Sequence, residues 1–398
     1  MAGVASLRQA SEKQSTALIT FILFWCALIV VSSAYVTTPL FSVFERTFDI
    51  SKTMSAWTSS SFSFFYAVGF LLFGPLADRI GRKPVILFGL ASLTVVTPII
   101  GMTTSFGGLV ALRGLQGFIA STFAPSALAY AFDVIPSKRL VTTIGFISFG
   151  YVTSGIVGQV LADLMYQWGS WEVVFYVFGA LYFITFLAVL FLFPTPNKPS
   201  HKEGIRFYLY QSRLIFRQRN FQLIYIITIT LLLTFMGMYT LLGSFLGGEP
   251  FYLNDNEILG IRAIGIIGML ISPFVGKIVN KIGVLTTLRI GLALSASGLL
   301  LLGIGSSIFF LILMSIMYVF GISLIFPAVM VLIGELGGER RALANAYYAF
   351  ILFLGAMLGP IIAIYLLEVG SYFTTFLILS FMLIIGFFLS MFIKIKLS

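Results

Sequence analysis

Between two long apolar runs the chain reads Gly-Pro-Leu-Ala-Asp-Arg-Ile-Gly-Arg-Lys from Gly74 to Lys83, which sets one carboxylate among three cations. The chemistry open to such a loop is ion pairing rather than bond making. Asp78, at the end of an apolar segment, can accept hydrogen bonds from the first amides of a neighbouring helix and complement its dipole. Gly74 and Gly81 permit a close approach and a tight turn. Arg82 can reach a second carboxylate, and Asp133 is the nearest candidate along the chain. A further charged group opens the sequence Arg113-Gly-Leu-Gln116-Gly117, about five residues inside an apolar run and so roughly 7–8 Å deep at 1.5 Å per residue. Charge at that depth is costly and marks a candidate functional position. Arg262 lies at a similar depth in a later run. It is read as bonding the loop carboxylates Glu257 or Asp255, the alternative being an electropositive outer cavity suited to an anionic or neutral ligand.

Bond-making chemistry has little to work with. Cys26 is the only cysteine and His201 the only histidine, which excludes an intrachain disulfide and any metal site of ordinary His or Cys ligand count. No Ser-His-Asp or Cys-His set can be assembled within the apolar runs, and no phosphate-cradling loop of the Gly-x-x-x-x-Gly-Lys type is present. The chain is therefore expected to be neither an enzyme nor a user of ATP or a cofactor.

The elements that must hold these residues are membrane helices. Hydrophobic residues make up 59% of the chain and charged residues 10%, against about 25% charged in ordinary soluble domains. Twelve apolar segments of near-spanning length fall at 18–40, 55–76, 84–103, 107–132, 140–162, 171–193, 221–246, 257–276, 284–304, 308–334, 341–367 and 371–393. No ten-residue alternation of barrel strands occurs, and backbone groups in lipid must be bonded internally, so the fold class is an all-α helical bundle. With the amino terminus inside, 19 of the 24 Lys and Arg fall on the inner side. The positive-inside rule then places both termini in the cytoplasm, and the net charge of +10 faces anionic lipid rather than nucleic acid.

A repeat divides the chain. Gly74, Asp78, Arg79 and Gly81 correspond to Gly276, Asn280, Lys281 and Gly283, each 202 residues on, and Pro125 and the Lys138-Arg139 pair correspond to Pro327 and Arg340-Arg341 at the same offset. Two six-helix bundles are expected at 1–193 and 221–398. They are joined by a basic linker, 194–220, that carries Pro194, Pro196, Pro199 and a basic-aromatic stretch from Gly204 to Arg219 suited to a lipid surface. Parallel repeats of this kind form a known transporter architecture with the ligand site between the halves near the midplane.

These features together resemble the major facilitator superfamily over nearly the whole chain. The family pattern Gly-x-Leu-Ala-Asp-Arg-x-Gly-Arg-Lys is met at every fixed position by Gly74, Leu76, Ala77, Asp78, Arg79, Gly81, Arg82 and Lys83. Arg113, Gln116, Gly117 and Ala120 match a second signature, Arg-x-x-Gln-Gly-x-x-Ala. The resemblance implies that the first motif, with Asp133, latches the inner gate while the transporter faces outward, and that Arg113 and Gln116 are candidate coupling residues. It implies a substrate cavity on helices 1, 4, 7 and 10, whose mid-spans offer Trp25, Gln116, Thr122, Thr234, Met238, Tyr239, Tyr318 and Ser323. The Gly-Pro-x-x-Gly-Gly signature that proton-coupled drug exporters carry in helix 5 is incomplete here, reading Ser154-Gly155-Ile156-Val157-Gly158-Gln159. No Asp or Glu falls mid-span, so a proton site would be Asp78, Asp133 or one of the outer acids such as Asp163.

The function expected from all this is secondary active transport in the plasma membrane of a prokaryote. A monomeric multi-pass protein would export small amphiphilic organic compounds by alternating access, with protons as partner and antiport as mechanism. Uptake of a small anionic nutrient is the alternative within transport. A non-transporting sensor or lipid-handling protein on the same fold is the alternative outside it.

Overall fold

The computed structural model describes residues 2–195 and 205–394, and they form helices and connecting turns without a strand. Pro196, Pro199, His201 and Glu203 lie outside the described residues. Among the described residues ten segments are long and apolar enough to cross a membrane. They are the expected spans 2 (Lys52–Ile80), 3 (Arg82–Gly101), 5 (Thr142–Trp168), 6 (Trp171–Leu192), 7 (Arg219–Gly247), 8 (Asp255–Ile282), 9 (Val284–Ile304), 10 (Ile308–Gly337), 11 (Leu343–Val369) and 12 (Tyr372–Met391).

The first and fourth spans make up the twelve, and both are broken. Span 1 runs as a helix over Ala2–Ser32, turns through a 3₁₀ segment at Thr38–Leu40 and resumes at Phe41–Phe48. Span 4 is a helix over Phe106–Ala120, a break at Ser121 and Thr122, and a second helix over Phe123–Val134. A proline follows each break. Pro39 and Pro125 have no amide to donate to Tyr35 and Ser121, four residues back, so the helical ladder lapses there. Span 8 is also interrupted, between Ile264 and Val275, around Gly265 and Pro273.

The twofold repeat is visible in the backbone. Span 2 ends on Gly81 at φ +100°, ψ 147°, and span 8 ends on Gly283 at φ +87°, ψ 153°. Both lie where a Cβ is strained, which explains why glycine ends both copies of the loop while the charges around it differ. Spans 1 to 6 pack mainly on one another, as do spans 7 to 12. The two sets meet where span 2 lies along span 11 and where span 5 lies along span 8.

Small residues set the closest approaches. A Cβ on Gly117 of span 4 would strike the Phe62 carbonyl of span 2, and one on Gly298 of span 9 would stand 2.8 Å from the Tyr318 amide of span 10. Gly117→Ala is therefore expected to destabilise the protein by roughly 1–3 kcal/mol through overpacking against backbone, read as a lowered thermal midpoint in detergent. The outer surface is the reverse of a soluble one. Phe21, Phe88, Ile184, Phe191 and Phe309 stand exposed on span surfaces, where lipid is their solvent.

The linker helix, Ile205–Arg217, does more than lie on a lipid surface. Ile215 is fully buried, the Phe216 ring lies 4.8 Å from that of Tyr347 of span 11 and 5.7 Å from that of Tyr225 of span 7, and Tyr347 donates to Ser212 Oγ at 2.7 Å.

Candidate functional site

The loop motif assembles as an ion cluster at one end of the bundle. Arg82, the first residue of span 3, pairs with Asp133 at the end of span 4 and reaches Asp78 one turn back at 3.4 Å. The two ion pairs of Arg82 join spans 2, 3 and 4 of the first half. Asp78 meets Arg82 and faces a cavity. Lys83 acts apart from this cluster. Its Nζ donates to the carbonyls of Phe193 at 2.6 Å and Leu190 at 3.1 Å, capping the end of span 6 where unpaired carbonyls favour a cation.

Arg113 lies elsewhere and is fully buried. Its Nη2 donates to the Ser33 carbonyl at 2.9 Å, its Nε to the Thr58 carbonyl at 3.1 Å and its Nη1 to Gln116 Oε1, while the guanidinium sits 4.5 Å from the Phe62 ring centroid. Gln116 passes the chain of bonds to Thr97 of span 3 at 2.9 Å. Ser33 is the first residue past the helical part of span 1, so Arg113 supplies a donor to a carbonyl at that break.

Between the halves lies a cavity of about 960 Å³ that reaches the ion cluster. Its interior is coated by Tyr35, Tyr66, Phe235, Phe326 and Phe353, with Pro125 and Pro327, the repeat-related prolines, on opposite walls. Tyr35 and Phe235 meet edge to face at 6.0 Å, and Tyr66 and Phe353 lie 4.2 Å apart across the halves. At the mouth stand Asp78, Arg82 and Asp133 from one half and Arg340 and Asn345 from the other, with Gln211 of the linker helix.

The eight residues expected to form the cavity do not line it. Trp25 donates to Thr185 at 3.0 Å, Thr122 fills the break in span 4 against Gly89, and Thr234 and Tyr318 bond one another at 3.1 Å. Ser323 bonds the Val319 carbonyl of its own helix, Gln116 belongs to the Arg113 cluster, and Met238 and Tyr239 are buried. Choosing polar mid-span residues selects hydroxyls and amides that must be satisfied in helix seams. Their apolar neighbours Phe235, Ile322 and Ala124 face the cavity instead.

At the end away from the motif the halves are shut. Lys52 donates to Ser244 at 2.7 Å, Thr53 to Glu368 at 2.7 Å and Ser60 to the Met357 carbonyl at 2.6 Å, each from span 2 to the second half. Arg262 makes no ion pair with the loop acids: Glu257 is held in a capping box with Asn254, Asp255 acts on Arg262 only at longer range, and Arg262 faces Asp163 of span 5 at 3.8 Å. Nothing in the sequence flagged that partnership, which joins residues 99 positions apart. Arg289 donates to the Ser390 carbonyl of span 12 at 3.2 Å. Among the described residues no group of three His, Cys, Asp or Glu could hold a metal ion.

Comparison with known proteins places this geometry. The model of the Major Facilitator Superfamily matches residues 23–283 and 256–396. A transporter of Buchnera aphidicola from Schizaphis graminum is 26% identical over 82% of this chain and 79% of its own. The MFS-type transporter YceJ of Bacillus subtilis is 23% identical over 88% and 90%, and a bicyclomycin resistance protein homolog of Haemophilus influenzae is 26% identical over 64% and 65%. The crystal structure of a bacterial homolog of the human lysosomal transporter Spinster, in an inward-facing, unoccupied conformation, shares the fold with a TM-score of 0.73 at 15% identity, over 96% of this chain and 99% of that one.

Proposed function

Because the chain belongs to the major facilitator superfamily and is a multi-pass membrane transporter rather than an enzyme, we propose that it exports small amphiphilic organic compounds by proton-driven alternating access. The observation that carries this reading is the aromatic cavity of about 960 Å³ between the halves, open toward the ion cluster and sealed at the other end. A pocket of that size and apolar character suits a drug-sized ligand. The excess of Lys and Arg at the motif end supports a cytoplasmic placement of that end, in a prokaryotic plasma membrane, so that the cavity faces inward. Residues 1–193 and 221–398 are the bundles that rock, 194–220 joins them, and the working unit is a monomer.

Export is favoured over uptake by the chemistry of the cavity. Of the grounds for the anionic-nutrient reading, Arg113 and Arg262 are buried outside the cavity with partners of their own, which leaves it only the incomplete helix 5 signature. The bicyclomycin resistance homolog and the multidrug resistance protein MdtG of Proteus mirabilis, 26% identical over 58% of this chain, point the same way by name. Asp78 and Asp133 at the mouth are the carboxylates that cytoplasmic water reaches in this state, and Asp78 is the gating acid.

Inside-out vesicles test the proposal. Uncoupler-sensitive accumulation of a lipophilic compound is expected, with severe loss in Asp78→Asn. Absence of such accumulation across a broad panel of lipophilic compounds would overturn export. Undiminished accumulation in Asp78→Asn would remove Asp78 as the gating acid.

A further inference from the structure

We infer that Asp163 and Arg262 form the outer latch of this transporter, the pair that holds the two bundles together while the cavity faces inward. The inference rests on the alternating-access reading and names residues to which that reading assigned no gating role. Asp163 belongs to the first half and Arg262 to the second, and their side chains are 9% and 7% exposed. By contrast, the ion pairs of Arg82 stay within the first half.

The surroundings are shaped for the guanidinium. Gly243 of span 7 leaves the space that Nη2 occupies, and a Cβ there would collide with it. Gly265, three residues beyond Arg262, brings span 8 against Tyr239, whose hydroxyl would stand 2.5 Å from an added Cβ, and against Ile156 of span 5 at 3.0 Å. Yet the site is not fully satisfied: Arg262 Nε and Tyr239 Oη have no hydrogen-bond partner among the described residues.

That combination describes a switch better than a permanent clamp. Burial of two charges carries a desolvation cost that their attraction offsets fully only when the pair and its remaining donors are hydrogen-bonded, and here the charges stand 3.8 Å apart, beyond hydrogen-bond reach, with Nε unpartnered. Parting the halves lets water reach both charges and the orphaned groups. The closed and open arrangements are thereby brought near balance, and removing either charge tilts the balance toward open: without Arg262, Asp163 is left facing the like charge of Asp255, and without Asp163, Arg262 keeps only the longer-range attraction of Asp255.

Two reporters read the latch in a Cys26→Ser background, since Cys26 is the only native cysteine. Ala56→Cys sits at the sealed end, fully buried beside Phe41 and Ile364, and Ala346→Cys lines the cavity. Maleimide labelling is expected to rise at Ala56→Cys and fall at Ala346→Cys in both Asp163→Asn and Arg262→Gln. The ratio of the two rates should change on the order of tenfold. The exchange of Asp163→Arg with Arg262→Asp should restore both rates. Gly243→Ala, which displaces the guanidinium without removing a charge, should move them as the single variants do, and it serves if either single variant fails to assemble.

Gly155→Trp is the control for the underlying cycle, because it wedges the halves without touching either charge. If it shifts both reporters while the charge variants leave them at parental rates, or if the exchange restores neither, the latch is overturned and alternating access stands. If Gly155→Trp also leaves both unchanged, alternating access falls and the latch with it.

Discussion

Gly155→Trp is expected to convert the protein from a state open at the motif end to one open at the opposite end, a larger effect than any other single substitution at this interface should have. Gly155 of span 5 faces span 7, and an added Cβ would already stand 2.9 Å from the Phe235 ring. Phe235 is flanked by Tyr35 at 6.0 Å and Tyr239 at 5.1 Å, so its ring can yield only toward the cavity it borders. A whole indole placed behind it is expected to part spans 5 and 7, which belong to different halves. Interfaces of this kind reorganise between discrete packings rather than yielding gradually. Site-directed labelling at Ala56→Cys and Ala346→Cys should register the change as opposite shifts, together with loss of transport in vesicles. Parallel shifts at the two reporters would mean local unfolding instead of a change of facing.

The second large effect is expected at Arg113, and it concerns stability. Its guanidinium serves the Ser33 and Thr58 carbonyls and Gln116 at once, a fork that an ammonium cannot reproduce in fixed geometry. Each buried acceptor left unpaired costs about 1–3 kcal/mol. Arg113→Lys and Arg113→Gln should both lower the thermal midpoint in detergent strongly, by roughly 2–4 kcal/mol in stability if one or two acceptors lose their donor. Compound binding by the folded fraction should persist, because Arg113 does not line the cavity. A variant of wild-type stability whose accumulation no longer responds to an uncoupler would instead assign Arg113 to coupling, the role its motif suggests.

What the sequence disclosed and what it concealed divide along physical lines. Apolar length identifies spans, and a short-range motif identifies a turn, so the Gly81 bend and the pairing of Arg82 with Asp133 could be reasoned from residue type and order. Facing could not. In a membrane helix, lipid, neighbouring helices and an apolar cavity all accept Phe, Ile and Leu, so Phe235 and Thr234 cannot be told apart by hydropathy. The structure sends one to the cavity and the other to Tyr318. Asp163 and Arg262 were equally hidden, because their meeting depends on how spans 5 and 8 cross and not on any local spacing. The repeat did hold one clue to the cavity: Pro125 and Pro327, aligned as symmetry markers, both border it.

The anchoring of the connection between the halves also limits how far they can part. Phe193 stacks on Tyr130 at 4.7 Å, Tyr130 donates to the Pro194 carbonyl at 2.7 Å, and Lys83 holds the carbonyls just before, so the chain is moored to the first half through that point. It is moored again to the second half by the helix that begins at Ile205. Only the stretch 196–204 lies between the moorings. Ten residue steps at about 3.3–3.6 Å each span at most ~36 Å when taut. A connection of fixed length between two moorings sets an outermost stop on any parting of the halves at the motif end.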